Sequence, residues 1–488
     1  MSRQAAALLV FVLPLLAVGE EIPKRPELLR FEPIVFNPPD ARALRVALKG
    51  GGVAFIKEDH TLPLVNISVQ VRAGSWLEPE GKQGLAGLVG GQLRRGGTES
   101  LSAEAFDERL DFLAAQVSAG IGETSAHASL NCLRDNLEQS LTLFVEMLRR
   151  PRFQADRLAL AQEQALQAMK KRNDESADIE AREWGVLLYG EEHFSNRFST
   201  EASLLSITRD DLVAFHRRYF NPANMILAVS GAVGRDEIVR KLEAAFAGWP
   251  SPGPPVPRVP GEIRPQAPGL YRIHKDVNQG RVSIGLPSVM RTSPDIYALE
   301  VMNEILGGSG FSSRITKTVR SNEGLAYSAG SGIGFGVYYP GRFRAGFQSK
   351  SRSVAYATQL VLEEIRGIRD SLVSDEELDT IKRSLIETFP SNFASAGQVV
   401  STFAADEYTR RAASYWTSYR DRIGAVTKQD VLRVAREHLV PERMILLVVG
   451  DQKQIELGDS RHPATLESLA PGGRVVALPL RDPLTMKR

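Results

Sequence analysis

Residues 207–231 read ITRDDLVAFHRRYFNPANMILAVSG, and residues 426–450 read VTKQDVLRVAREHLVPERMILLVVG. A constant offset aligns the two without a gap. Thr208, Asp211, Arg217, Pro222, Met225, Ile226, Leu227, Val229 and Gly231 recur as Thr427, Asp430, Arg436, Pro441, Met444, Ile445, Leu446, Val448 and Gly450. Each copy predicts a helix capped by threonine, a proline stop, and a buried apolar strand ending at glycine. A unit of three matched elements closing both halves of a chain points to duplication of a whole domain. Prolines at 250, 252, 254, 255, 257, 260, 265 and 268 forbid helix or central strand between Trp249 and Gly269. That stretch predicts a stiff, extended linker between the copies.

The halves also open alike. Gly52–Lys57 and Leu64–Val71 predict a hairpin-like pair of strands, followed by a helix from about Gly84. In the second half, Gln279–Leu286 predicts a strand and Asp295–Leu306 a helix. Phe106, Leu110, Leu113 and Val117 form one apolar stripe, and Leu137, Leu141, Phe144 and Leu148 another, both read as helix packing. Between them Ala126, Ala128, Leu130 and Cys132 alternate as on a strand, with His127 facing the other way. The fold class expected is therefore α+β, two homologous domains each with helices against one face of a sheet. The expected division is an N-terminal domain over 40–248, the linker 249–269, a C-terminal domain over 270–455 and a partly extended tail over 456–488.

Of the 488 residues, 43% are hydrophobic, enough for a sizeable core. Lysine and arginine number 60 against 58 aspartate and glutamate, so the net charge of +2 gives no electrostatic case for nucleic acid or a membrane surface. Arg3, the apolar run Ala5–Val18 and the small residues Ala17-Val18-Gly19 predict a secretory signal cleaved after Gly19. The run is too short to span a bilayer, and no later stretch is long and apolar enough. The single cysteine, Cys132, excludes a disulfide within the chain. An exported chain without disulfides fits a bacterial periplasm.

The run Arg72-Ala73-Gly74-Ser75 through Gly81-Lys82-Gln83-Gly84-Leu85-Ala86 reads as strand, turn and helix start, and Gly87-Leu88-Val89-Gly90-Gly91 follows. In the second half, Leu306-Gly307-Gly308-Ser309-Gly310-Phe311-Ser312-Ser313-Arg314 precedes Val319-Arg320-Ser321-Asn322-Glu323-Gly324-Leu325-Ala326-Tyr327. No lysine-serine or lysine-threonine ending follows Gly307–Gly310, so it is no phosphate cradle. No G-x-S-x-G elbow offers a nucleophile. No two of the seven histidines stand at helical ligand spacing. A surface arginine and a core tyrosine are the ordinary reading of Arg320 and Tyr327.

Over Leu44–Gly450 the chain resembles the insulinase/pitrilysin family of zinc peptidases, including half-length chains like those of mitochondrial processing peptidase. There, R-A-G-S and G-L-A lead into H-x-x-E-H, whose histidines bind zinc and whose glutamate is the general base. Here both histidine positions are glycine, Gly87 and Gly91, and the glutamate position is Gly90. The third ligand, a later glutamate, falls within Gln164–Met169, where Gln167 and Ala168 stand; Glu163 lies about a turn earlier. Zinc needs three protein donors and an open position, and glycine has no donor atom. Three helical glycines cost roughly 1 kcal/mol each relative to alanine. Close approach of a neighbouring element and relaxed constraint after lost catalysis are both readings of that cost.

The resemblance also implies that Arg320 and Tyr327 match the C-terminal-domain signature R-x-x-x-G-L-A-Y. In family members that pair contacts substrate and stabilises the oxyanion at a facing zinc site. The implied role is a zinc-free subunit, inactive alone, forming half of a clamshell. Arg320 and Tyr327 would serve as its catalytic and substrate-binding residues. Zinc and general base would come from a homologous partner, and substrates would be unfolded peptides. The alternative is a non-catalytic scaffold or peptide-binding protein of the same fold.

Overall fold

Proline stops and capping boxes set the repeated unit, as the sequence requires. The computed structural model describes residues 36–250 and 255–488, together with residues 25, 28 and 29. The expected signal segment and the linker residues 251–254 lie outside the described residues. Thr208 and Thr427 each cap a helix reciprocally with the aspartate three positions on, Asp211 and Asp430. Each helix ends before Pro222 or Pro441, and the strand that follows is buried along its whole length. Burial on both faces explains why those strands read as continuous apolar runs.

The strands of the first half are β1 Arg45–Ala47, β2 Val53–Glu58, β3 Leu64–Val71, β4 Gln116–Ile121, β5 Ala126–Leu133 and β6 Met225–Gly231. Those of the second are β7 Gly269–His274, β8 Gln279–Pro287, β9 Ala326–Ile333, β10 Arg342–Lys350, β11 Ile445–Gly450 and β12 Val475–Ala477. They form two six-stranded sheets, ordered β1-β2-β6-β3-β5-β4 and β12-β7-β11-β8-β10-β9. Without their first strands the two orders are the same. In both, the first pair is parallel, β2 with β6 and β7 with β11, and the other pairs are antiparallel. Only the outer strand differs: β1 precedes its sheet in sequence and pairs antiparallel, whereas β12 comes from the stretch after Asp451 and pairs parallel.

The expected hairpin of Gly52–Lys57 with Leu64–Val71 does not form. The fully apolar β6 lies between β2 and β3, because both its faces need cover and only a central position provides it.

The first half carries helices α1 Ala41–Leu44, α2 Leu85–Arg95, α3 Ala103–Phe112, α4 Leu137–Arg149, α5 Ala155–Lys170, α6 Ser176–Tyr189, α7 Glu201–Ser206, α8 Arg209–Tyr219 and α9 Arg235–Phe246. The second carries α10 Ile296–Asn303, α11 Val354–Asp370, α12 Asp375–Thr388, α13 Ala396–Thr409, α14 Tyr415–Ala425, α15 Lys428–His438 and α16 Gln452–Leu457. Val117, expected on the stripe of α3, belongs instead to β4; the helix stops at Phe112 and the chain turns at Ala114, where φ is +48°. Cys132 is buried on β5 and His127 is exposed on its other face.

Helices cover both faces of the sheets, not one, because the halves exchange a helix. Ile179, Trp184, Leu187 and Leu188 of α6 pack on Tyr271, Ile273, Ile445, Leu447 and Val449 of the second sheet. Buried Glu180 of α6 accepts hydrogen bonds from Ser283 (2.6 Å) on β8 and Arg344 (2.8 Å) on β10. Conversely α13 lies on β6 and β2, with Phe403 against Phe55 at 6.2 Å between ring centroids. Residues 38–488 accordingly form a single compact unit.

Candidate functional site

Helix α2 begins where Gly84 adopts a left-handed conformation, φ +103°, that its glycine permits. Glu78 caps it from outside the helix, accepting hydrogen bonds from the amides of Gly84 (3.1 Å) and Ala86 (2.8 Å). Burial pushes the Glu78 carboxyl up to about 7, against the pull of those two amides.

The three glycines of α2 are not equivalent. A Cβ added at Gly87 or Gly91 would meet nothing within 4 Å. A Cβ at Gly90 would lie 2.5 Å from the Ile121 amide nitrogen and 2.9 Å from the Gly120 Cα, both on β4. The helix therefore rests with its backbone on the sheet at Gly90. A glutamate there would require α2 to lift from β4. Gly87 and Gly91 offer space but no donor atom, and on α5 Gln167 and Ala168 stand where the third ligand would, with Glu163 about a turn earlier. These residues do not fit a zinc ion. Among the described residues, Asp295, Glu437 and His438 gather donor atoms within 4.8 Å of one another. Asp295 already pairs there with Arg433 (2.8 Å) and His438 (3.0 Å), which accounts for the cluster as an ion-pair network.

The second half repeats the contact. Gly307 would place a Cβ 2.4 Å from the Ser331 amide nitrogen and 2.9 Å from the Gly330 carbonyl carbon, on β9. Strand β9 holds the place in its sheet that β4 holds in the first. The glycine-containing run Leu306–Arg314 is partly wound: Glu304–Gly308 continues α10 as a π-helical turn, and Thr316–Asn322 is a second π-helical segment. Backbone bonds of the wider spacing, such as Glu323 amide to Thr318 carbonyl at 3.2 Å, make this possible.

Arg320 lies on that second π-helical segment and Tyr327 on β9. The segment is fixed by Thr316 donating to the Ala329 carbonyl (2.7 Å) and Thr318 donating to Glu364 (2.6 Å). Upstream, Arg314 forms a two-pronged pair with Glu377 at 2.7 and 3.0 Å. That pair holds the Glu377 carboxyl well below the usual range, at about 2. Gly324, φ +63°, turns the chain into β9. There β9 bulges: Ala326 pairs with Ser349 and Ala329 with Phe347, so Tyr327 and Ser328 both oppose Gln348. The bulge swings Tyr327 outward, leaving it 86% exposed.

The structure brings Arg320 and Tyr327 together and adds a third member. The guanidinium carbon sits 4.8 Å from the centre of the Tyr327 ring and 4.4 Å from that of Phe311, itself 67% exposed. In the sequence Phe311 carries no signal of this role beyond its place in the run Leu306–Arg314. Two open aromatic rings around one cation form a donor-rich surface that faces solvent.

Comparison with known proteins matches residues 53–183 to the model of the insulinase family, peptidase family M16, and residues 206–385 to that of the peptidase M16 inactive domain. A protein described as an uncharacterized zinc protease of Streptomyces coelicolor is 24% identical over 420 residues, covering 83% of this chain and 88% of that one. The non-peptidase homolog YmxG of Helicobacter pylori is 22% identical over 404 residues, covering 82% and 91%. Among solved structures, a peptidase M16 inactive domain from Pseudomonas fluorescens superposes with a TM-score of 0.74 at 25% identity, covering 83% of this chain and 97% of that one. The periplasmic protease PqqL of Escherichia coli superposes at 0.68 with 16% identity, and the match takes in 83% of this chain and 45% of that protein.

Proposed function

This chain belongs to peptidase family M16, the insulinase family, as an inactive-type member, and from that premise we propose that it is the zinc-free subunit of a two-chain metallopeptidase. Arg320 and Tyr327 would then act at the zinc site of a homologous partner, on unfolded peptides, after export of both chains. The observation that carries this reading is the contrast between the two halves. The metal position of the first is donor-free at Gly87 and Gly91, and its general-base position, Gly90, is closed against β4. The second keeps a cation between two solvent-facing rings, with no carboxylate paired to it among the described residues. An unpaired guanidinium and an exposed phenol are suited to stabilise negative charge developing on a substrate oxygen supplied from outside.

The test is co-purification with a zinc-bearing homologue followed by peptide cleavage. Arg320→Ala and Tyr327→Phe are each expected to lower kcat of the pair by about 10²-fold while leaving its assembly intact. Activity unchanged in both variants would remove the proposed roles.

A second reading, peptide binding without hydrolysis, is favoured by a separate feature. A groove of about 540 Å³ runs between α13 and the part of the first sheet that this helix leaves uncovered, lined by Asn66, Ser68, Ser129, Asn131 and Ser230. Binding of an unfolded peptide by the isolated chain, with no cleavage by any reconstituted pair, would favour this reading over the first.

A further inference from the structure

Five arginines line one cleft of the first half, far in sequence from the second-half motif. Arg149, Arg150 and Arg152 come from the end of α4 and the loop after it, and Arg209 and Arg217 from α8. The cleft holds about 790 Å³, with Trp249 in its wall and buried Phe153, His216 and Phe220 beneath. Among the described residues Glu99 is the only acidic one lining it, and it meets Arg150 at 3.6 Å. Three of the other guanidiniums are held by neutral carbonyls. Arg149 donates to Ala245 and Ala247, Arg152 to Thr98 and Glu99, and Arg209 to Arg152 and Phe153. Carbonyl partners fix a guanidinium in place without cancelling its charge. The cleft is therefore a preorganised concentration of positive charge.

The duplication supplies an internal control. Arg217 recurs as Arg436, which donates to the Arg369 carbonyl at 2.8 Å and so caps the end of α11. Arg217 makes no hydrogen bond or ion pair among the described residues and is exposed. Matched on the buried residue before the next helix, Phe153 and Val373, the second half has Asp370, Ser371 and Leu372 where the first has Arg150, Pro151 and Arg152. Arg149, Arg209 and Arg217 keep cationic counterparts in Arg369, Lys428 and Arg436, whereas the charges of Arg150 and Arg152 belong to the first half alone, so the shared architecture does not require those two.

We propose that this cleft binds a polyvalent phosphate, its oxygens gripped by Arg150 and Arg217 against the positive wall formed by Arg149, Arg152 and Arg209. Planar guanidiniums suit such oxygens because each can give two parallel hydrogen bonds. The inference is independent of the role proposed for Arg320 and Tyr327.

The experiment is titration of the full chain with inorganic tripolyphosphate and, separately, with adenosine triphosphate, followed by calorimetry at about 0.15 M salt, where exposed charges are well screened. Saturable one-to-one binding is expected, weakened at least tenfold by the double variant Arg150→Glu with Arg217→Glu. Neither residue bonds to the backbone through its side chain, so circular dichroism and melting should match the parent. The control Arg366→Glu, exposed on α11, should bind like the parent. Equal affinity for the two compounds identifies the phosphate chain as the ligand, and tighter binding of the triphosphate ester identifies a nucleotide. Absence of saturable binding, or a double variant that binds as the parent does, overturns the proposal.

Discussion

Gly87, Gly90 and Gly91 look alike in sequence, but they meet different surroundings. At Gly90 the backbone of α2 touches that of β4, and a methyl group there must displace strand backbone. Gly90→Ala is therefore expected to destabilise the chain by about 1–3 kcal/mol, as overpacking does. Gly87→Ala and Gly91→Ala meet open space and should each stabilise it by about 0.5–1 kcal/mol, through lower backbone entropy of the unfolded chain. Urea midpoints of the three single variants check this; equal effects at all three positions would contradict it. Close approach of a neighbouring element thus accounts for Gly90 alone; no packing demand accounts for Gly87 and Gly91.

At the scale of elements, α2 depends on a cap that titrates. The folded Glu78 carboxyl, raised to about 7, keeps its proton from pH 4.5 to about 7, whereas the unfolded chain has released it. Stability from this group is thus fully present below pH 4.5 and is lost as pH rises through about 7. The scale is on the order of 2–3 kcal/mol. Glu78→Gln keeps an acceptor for the Gly84 and Ala86 amides without the charge. Melting temperature of the parent should fall relative to Glu78→Gln between pH 5 and pH 8; parallel curves would refute the assignment. In the second half α10 runs on instead into the π-helical turn Glu304–Gly308, which rests on β9 at Gly307.

At the scale of the whole molecule, exchange of α6 and α13 makes each half incomplete alone. Without the second sheet, α6 would expose Ile179, Trp184, Leu187 and Leu188. The stretch after Asp451 adds to this. Buried Arg481 pairs with buried Glu183 of α6 at 2.9 Å, and the Arg481 carbonyl accepts from Asn173 at 2.8 Å. Chains divided within the linker, residues 38–256 and 257–488, should each fail to fold when expressed singly and should associate when expressed together. Circular dichroism and size-exclusion chromatography read the outcome; a monomeric, cooperatively melting single half would contradict the exchange.

The sequence by itself determined the duplication and the repeated helix–proline–strand unit, and through its resemblance to the family it put glycine at both histidine positions and the glutamate position of the zinc motif. Those rest on local chemistry: capping threonines, prolines without an amide hydrogen, glycines without a side chain. It also placed Arg320 and Tyr327 in one motif. Tertiary structure alone decided that β6 separates β2 from β3, because a doubly apolar strand must be central. It decided that α6 and α13 cross between sheets, since the periodicity of a helix shows that one face is buried but not against which partner. It decided that Phe311 joins Arg320 and Tyr327, through a π-helical turn and a bulge that follow no propensity pattern. And it set Gly90 apart from its neighbours, because closeness of two backbones leaves no trace in the identity of glycine.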